Sequence, residues 1–232
     1  MRHLPRAHAK PAQRLASYLG WTVDAFDSFI LVFVMNIAKD FGIRRAPAHR
    51  QNDEGTRVMP IPATLRFHGG TKHARGKFWP AMVALVTRGT DGAPLAIHRT
   101  FMSGDGTSKA PIEPAKMMLG PCRGGAVRLG PITDRLLVAE GIENALSAMQ
   151  ATGQAAWAAL STSGLRTLEL PVEARDVVVL ADGDEPGEAA AHDAARRWKR
   201  RGRRVRIARP PRGFDFNDVL LGRTFGHEEG AA

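Results

Sequence analysis

Cysteine is almost absent: Cys122 is the only one in 232 residues, which excludes an intramolecular disulfide and a cysteine-rich zinc ribbon. Beside Pro121 it reads as a small apolar filler rather than a nucleophile. No GxxxxGK[ST] loop occurs, so P-loop nucleotide hydrolysis is excluded. There is also no uncharged apolar run of the roughly 18 residues that a membrane span needs. The nearest approach, Ser28 to Ala38, is too short, and Asp24 and Asp27 precede it. Each Asp near a bilayer centre costs about 2.5 to 3.5 kcal/mol, so stable membrane insertion is not expected. A secretory signal fits no better, because no small-residue cleavage site follows the run. The expectation is a cytoplasmic protein.

What is plentiful is positive charge. The formal net charge is +10, and ten Lys or Arg lie between Arg196 and Arg212 with no Asp or Glu among them. Arg200, Arg201, Arg203 and Arg204 are the densest part. Such a stripe suits a polyanion, because each cation placed on a phosphate releases condensed counterions. A solvated helix face is the alternative. The remaining composition, 44% hydrophobic and 24% charged, is that of a globular chain with room for a core.

Hydrophobic periodicity divides the chain. Residues 1–45 form a leader, helical or disordered, and 46–61 a linker rich in Arg, Pro and polar residues. Over 62–130 the pattern is short β-prone runs, Thr64 to Phe67, Ala81 to Thr87, Leu95 to Phe101 and Ala126 to Leu129. Gly89-Thr90-Asp91-Gly92 and Ser103-Gly104-Asp105-Gly106 supply hairpin connections, which predicts a small antiparallel subdomain. From 131 to 222 strands and helices alternate: strands at Leu136 to Ala139, Ala155 to Leu160, Asp176 to Ala181 and Arg203 to Ala208, with a helix over Gly187 to Arg201. Ile142, Ala145, Leu146 and Met149 share one face of another helix. Continuous apolar strands separated by helices predict an α/β fold with a parallel sheet covered on both faces. A flexible tail, 223–232, closes the sequence.

Two acidic groups stand just beyond strand ends, where such sheets bind ligands. Glu140 follows the first strand, and Asp182-Gly183-Asp184 follows the third. Side chains alternate along extended backbone, so both carboxylates of Asp-x-Asp point the same way. That suits magnesium, which takes one or two carboxylates and completes its shell with water and phosphate oxygens. Two such ions about 4 Å apart would stabilise the attacking and leaving oxygens of an in-line phosphoryl displacement. Taken alone, Asp and Gly at a strand end also serve as turn and cap residues.

The blocks Leu136 to Glu143, Ala158 to Leu165, Val179 to Asp184 and Gly213 to Asp218 resemble successive motifs of the Toprim domain in phage- and plasmid-borne primase-like proteins. Leu65 to His68 and Ala96 to Phe101 resemble the region preceding it. The resemblance covers roughly Pro62 to Leu221. It implies a Toprim-type sheet flanked by helices and RNA primer synthesis on single-stranded DNA from ribonucleotides. It implies magnesium as cofactor, with manganese able to substitute, and a replicative helicase acting in trans. By the same resemblance Glu140 is general acid or base and metal contact, Asp182 and Asp184 hold the metal, and Asp215 is a further acidic contact. Asn217 stands where a second acid is common in that family. Asp215 or Asp218 would otherwise cap a helix starting near Val219. Lys109, Lys116, Arg123 and Arg128 are candidate phosphate contacts, with solvated surface charge as the alternative. His68, His73 and His98 lack cysteine neighbours, so no zinc is expected. Two other classes share these features: a Toprim nuclease and a non-catalytic DNA-binding remnant. A topoisomerase is disfavoured, since the one tyrosine, Tyr18, lies in the leader.

The leader has its own resemblance. Leu19 to Asp27, the apolar run, and Ile37 to Gly42 resemble the first transmembrane helix of a major-facilitator transporter. Nothing after Gly42 is apolar enough for a second span, so a transporter is excluded. The combination suggests a hybrid chain with its seam between Ile43 and Pro62.

Overall fold

The computed structural model describes residues 61–211 and 216, except 105, 107 and 134. The leader, most of the linker, Asp215, Asn217, Asp218 and the tail therefore lie outside the described residues. The chain first builds five antiparallel strands: β1 (Leu65–Lys72), β2 (Phe78–Arg88), β3 (Pro94–Phe101), β4 (Lys116–Leu119) and β5 (Gly125–Arg128). An alternating unit follows: β6 (Leu136–Ala139), α1 (Ile142–Thr152), β7 (Ala155–Ala158), α2 (Thr162–Thr167), β8 (Asp176–Leu180), α3 (Glu185–Arg200) and β9 (Arg204–Ala208).

These strands form one sheet in the order β4-β3-β2-β5-β7-β6-β8-β9, with β1 beside the first part of β2. The junction between the halves is antiparallel, Val127 opposite Ala158 and Arg128 opposite Trp157. The β-rich half is thus hydrogen-bonded into the same sheet as the parallel strands. Arg128 reinforces the joint: its guanidinium lies 4.3 Å from the Trp157 ring centroid and donates to the carbonyls of Arg88 and Gly89.

The parallel strands have helices on both faces, as their continuous apolar character requires. Leu137, Ala139, Ala156 and Leu180 pack with Ile142, Ala145 and Leu146 of α1. Leu136, Val138, Trp157, Val177 and Val179 point the other way, onto Leu165 of α2 and the alanines of α3. In α3, Ala190, Ala191, Ala194 and Ala195 share a buried stripe that ends in Trp198. The small side chains let the helix axis approach the sheet, and Trp198 fills the space left at its end. Its indole N–H donates to the Leu168 carbonyl at 3.2 Å, so burial leaves no unmet donor there. Truncating it to Ala would cost roughly 3 to 5 kcal/mol.

Two elements were not apparent from periodicity. β4 is a four-residue edge strand, and α2 is a six-residue helix capped by Ser161, which accepts from Gly164 N at 2.9 Å. Gly164 is needed because a Cβ there would sit 2.0 Å from the Ala159 carbonyl oxygen. Among the described residues, no helix is long and apolar enough to cross a membrane.

Candidate metal and nucleotide site

The strand order decides where the acids meet. The α1 connection leaves β6 for β7 on one side, and the α3 connection leaves β8 for β9 on the other. β6 and β8 are adjacent, with Ala139 opposite Leu180. The crevice between the carboxyl ends of these strands is therefore a topological switch point, the place where open α/β sheets bind ligands. Glu140 is one residue beyond that register and Asp182 two.

Each acid is held by its surroundings. Asn144, buried in the first turn of α1, donates from Nδ2 to Asp182 Oδ1 at 2.8 Å, while its own Oδ1 is buried without a partner. Asp184 caps α3, accepting from Gly187 N at 2.8 Å through Oδ1. A Cβ on Gly187 would lie 2.7 Å from that oxygen and 2.9 Å from Asp182 Cβ, so the glycine is what lets helix and Asp-x-Asp turn pack together. Glu140 is half-buried, and the Thr162 backbone N–H at the start of α2 bonds its carboxylate. Burial, then the nearby charges of Asp182 and Asp184, raise its carboxyl above the usual range.

A basic wall faces these acids from the β-rich half. Lys116, at the start of β4, pairs with Glu143 of α1 at 3.0 Å. Burial raises the Glu143 carboxyl, but the Lys116 charge, a bond from the residue's own backbone N–H, the Lys116 hydrogen bond and, more weakly, Lys109 outweigh it and leave it lowered. Lys116 also acts on Glu140. Behind it, His98 is buried and driven down to about 4, first by desolvation and then by Lys116.

The donor set fits a hard cation. Glu140, Asp182 and Asp184 offer only oxygen, and their mutual repulsion, visible in the raised Glu140, is what a divalent ion would relieve. No group of three His, Cys, Asp or Glu converges at metal-holding separations among the described residues. One oxygen of Asp184 is moreover occupied by the helix cap. Asp182 and the remaining oxygen of Asp184 are thus the available ligands, a number magnesium accepts.

The other basic candidates are placed elsewhere. Arg128 is turned inward onto Trp157 and two carbonyls, a structural use that the sequence does not disclose. Arg123 is exposed in the turn before β5, next to Gly124, which faces Thr167 and Glu169. The densest part of the stripe, Arg196 to Arg204, lies at the opposite end of the parallel sheet from the acids, whereas Arg209, just beyond β9, is at the acidic end and pairs with Glu188 near the start of α3. α3 begins at Asp184 and runs about 24 Å over its sixteen residues before reaching Arg200. Arg204 pairs in register with Asp176 at the start of β8, about 13 Å along the strand from the acidic end. Much of the stripe is also internally paired. Arg197 and Arg201 meet Glu169, Arg196 meets Asp193, Arg206 meets Asp176, and Arg203 donates to the carbonyls of Leu170 and Pro171. Arg200 and Arg204 are exposed. The charge count therefore located a stripe but not its position relative to the acids. Asn144 and Gly187 went unnoticed in the sequence; an Asn one turn after a strand-end Glu, and a Gly three residues after Asp-x-Asp, were the available signals.

Comparison with known proteins agrees with the domain class. Residues 135–224 match the family model described as Toprim domain, and residues 47–129 match a domain of unknown function, DUF7146. The parallel half has the Toprim-type architecture, a parallel sheet flanked by helices. Neither match covers residues 1–46, so the transporter resemblance of the leader gains no support from them. No curated protein matches the chain. Similar solved structures include a DNA primase domain from Pseudomonas aeruginosa, at 17% identity and TM-score 0.46, covering 91% of this chain and 73% of that one. The DnaG catalytic core is similar at 16% identity and TM-score 0.46, covering 92% and 70%. The DnaG primase catalytic domain bound to ssDNA is similar at 17% and 0.45, covering 92% and 71%. At such identities nothing of their chemistry transfers to this chain.

Proposed function

We propose that the chain is a primase-like nucleotidyltransferase that joins ribonucleotides into an RNA primer on single-stranded DNA, in phage or plasmid replication, with magnesium as cofactor. The carrying observation is the meeting of Glu140 and the Asp182–Asp184 turn at the β6/β8 switch point, opposite Lys116. Asp182, oriented by Asn144, and the free oxygen of Asp184 would hold the ion. Bound there, it supplies charge neutralisation at the transferring phosphate. Glu140, whose carboxyl is raised by burial and by the two aspartates, takes up the proton of the attacking hydroxyl. Lys116 and Lys109 receive nucleotide or template phosphates from the β-rich side. A helicase in trans would supply the template.

The test is incubation of the full chain with ribonucleotides, magnesium and single-stranded circular DNA, for wild type and Glu140→Gln. Short RNA products that the variant abolishes are expected. Strand scission in place of synthesis would reassign the site to a nuclease. A second reading, a DNA-binding remnant without turnover, is favoured by two observations: Asp184 spends an oxygen on the helix cap, and the three acids, though neighbours, do not stand at metal-holding separations among the described residues. It requires metal-independent DNA binding with no product of either kind.

A further inference from the structure

On the opposite face of the antiparallel half there is a second candidate site. Met82, Ala84 and Val86 of β2 point into the core shared with α1, whereas Ala81 and Val83 point away, into a cluster with Ile97, Phe101 and Ala110 against which Trp79 and Ile112 pack. A cavity of about 660 Å³ opens on that second face, lined by His73, Arg75, Lys77, Trp79, Ile112 and Glu113 among others. Its size falls within the range of small-molecule sites.

The lining is unevenly satisfied. His73 is buried and fully used: Nδ1 accepts from Arg75 N at 3.2 Å, which fixes the tautomer, so Nε2 donates to the Pro114 carbonyl at 3.1 Å. That pair ties the β1–β2 turn to the 110–115 segment and holds both rims. Arg75 and Lys77 are exposed, and neither takes part in the ion pairs found among the described residues. Trp79, half-buried in the wall, has an indole N–H that is buried without an acceptor. That N–H is closed off from solvent, so what Trp79 offers the cavity is the partly exposed face of its ring.

Two exposed cations with no ion-pair partner among the described residues and an aromatic wall, set against the one carboxylate of Glu113, describe the complement of an anion that carries a flat ring. We propose that this cavity binds a nucleotide, its phosphate at Arg75 and Lys77 and its base stacked on the Trp79 ring. A metal ion would be repelled by the two cations, and a purely apolar ligand would leave them unused. The site lies on the other face from the acids and is independent of the metal-dependent reading above.

The test uses the full chain in EDTA, so that the acidic site is not recruited through metal. Binding of AMP and of an eight-nucleotide oligothymidylate is measured by calorimetry and by tryptophan fluorescence. The chains compared are wild type, Arg75→Ala/Lys77→Ala, Trp79→Phe and Asp182→Asn/Asp184→Asn, each checked by circular dichroism. Saturable binding of at least one probe is expected. It should weaken about tenfold or more in the Arg75/Lys77 variant and be retained in the acidic-site variant. For the oligonucleotide the logarithmic salt slope should also become shallower, by about 0.7 for each phosphate that the variant no longer neutralises. Trp79→Phe should weaken binding and remove the fluorescence response. Preference for AMP identifies a free nucleotide as the occupant, and preference for the oligonucleotide identifies a strand. Binding of neither probe, or wild-type affinity in the Arg75/Lys77 variant, overturns the proposal; because EDTA removes metal, it does so without bearing on the acidic centre.

Discussion

His98 provides a quantitative test of the packing that places the basic wall. It sits in β3 opposite Met118 of β4, buried, with Lys116 of β4 and Arg99 of its own strand disfavouring its charged form and Glu143 of α1 favouring it. Its Nδ1 has no partner. In the unfolded chain the ring titrates near 6.5; in the fold it does so at about 4. The folded value is depressed for a base, so the unfolded chain binds the proton more readily and stability falls as pH drops through the interval. The loss is negligible at pH 7, about 2 kcal/mol at pH 5 and about 3 kcal/mol at pH 4. Urea unfolding of wild type and His98→Gln at these three values isolates this contribution, because the amide does not titrate and other groups cancel in the difference. The advantage of wild type over variant should shrink by those amounts on acidification. A difference constant to within about 0.5 kcal/mol across the range would refute the reasoning.

Other outcomes follow from the site's construction. Asn144→Ala removes the donor that holds Asp182, and manganese affinity should weaken about 10- to 100-fold with the fold intact by circular dichroism; unchanged affinity would mean that the 2.8 Å contact does not orient the acid. Gly187→Ala forces a Cβ against Asp182 and Asp184, and should cost about 1 kcal/mol or more of stability by breaking the cap, together with metal affinity in titration. Arg200→Ala/Arg204→Ala, at the far end of the sheet, should leave template-dependent turnover within about twofold, whereas Lys109→Ala/Lys116→Ala should lower it at least tenfold; the reverse order would place the template on the stripe.

Much of the parallel half was legible because its strands are continuous apolar runs: the expected strands over Leu136 to Ala139 and Asp176 to Ala181 agree with β6 and β8 to within a residue. The antiparallel runs were legible from alternation and from Gly89-Thr90-Asp91-Gly92, which connects β2 to β3. β4 escaped because Lys-Met-Met-Leu carries no β-branched or aromatic residue, and α2 because Thr-Ser-Gly composition reads as loop. That the sheet runs unbroken from one half to the other was also hidden, since it depends on β5 finding β7. The sequence placed Glu140 and Asp182 at strand ends, but their being neighbours follows from β7 crossing to the other side of β6. The Arg stripe shows the converse limit: charge density is read along the chain, whereas its distance from the acids is set by the length of α3.

The most direct test of the central claim is manganese binding to the full chain by paramagnetic resonance, comparing wild type with Asp182→Asn/Asp184→Asn. The account predicts saturable binding that the double variant abolishes while remaining folded. A folded wild type that leaves manganese free, or a double variant that binds it as wild type does, would contradict the assignment of the β6/β8 crevice as a metal and nucleotide site.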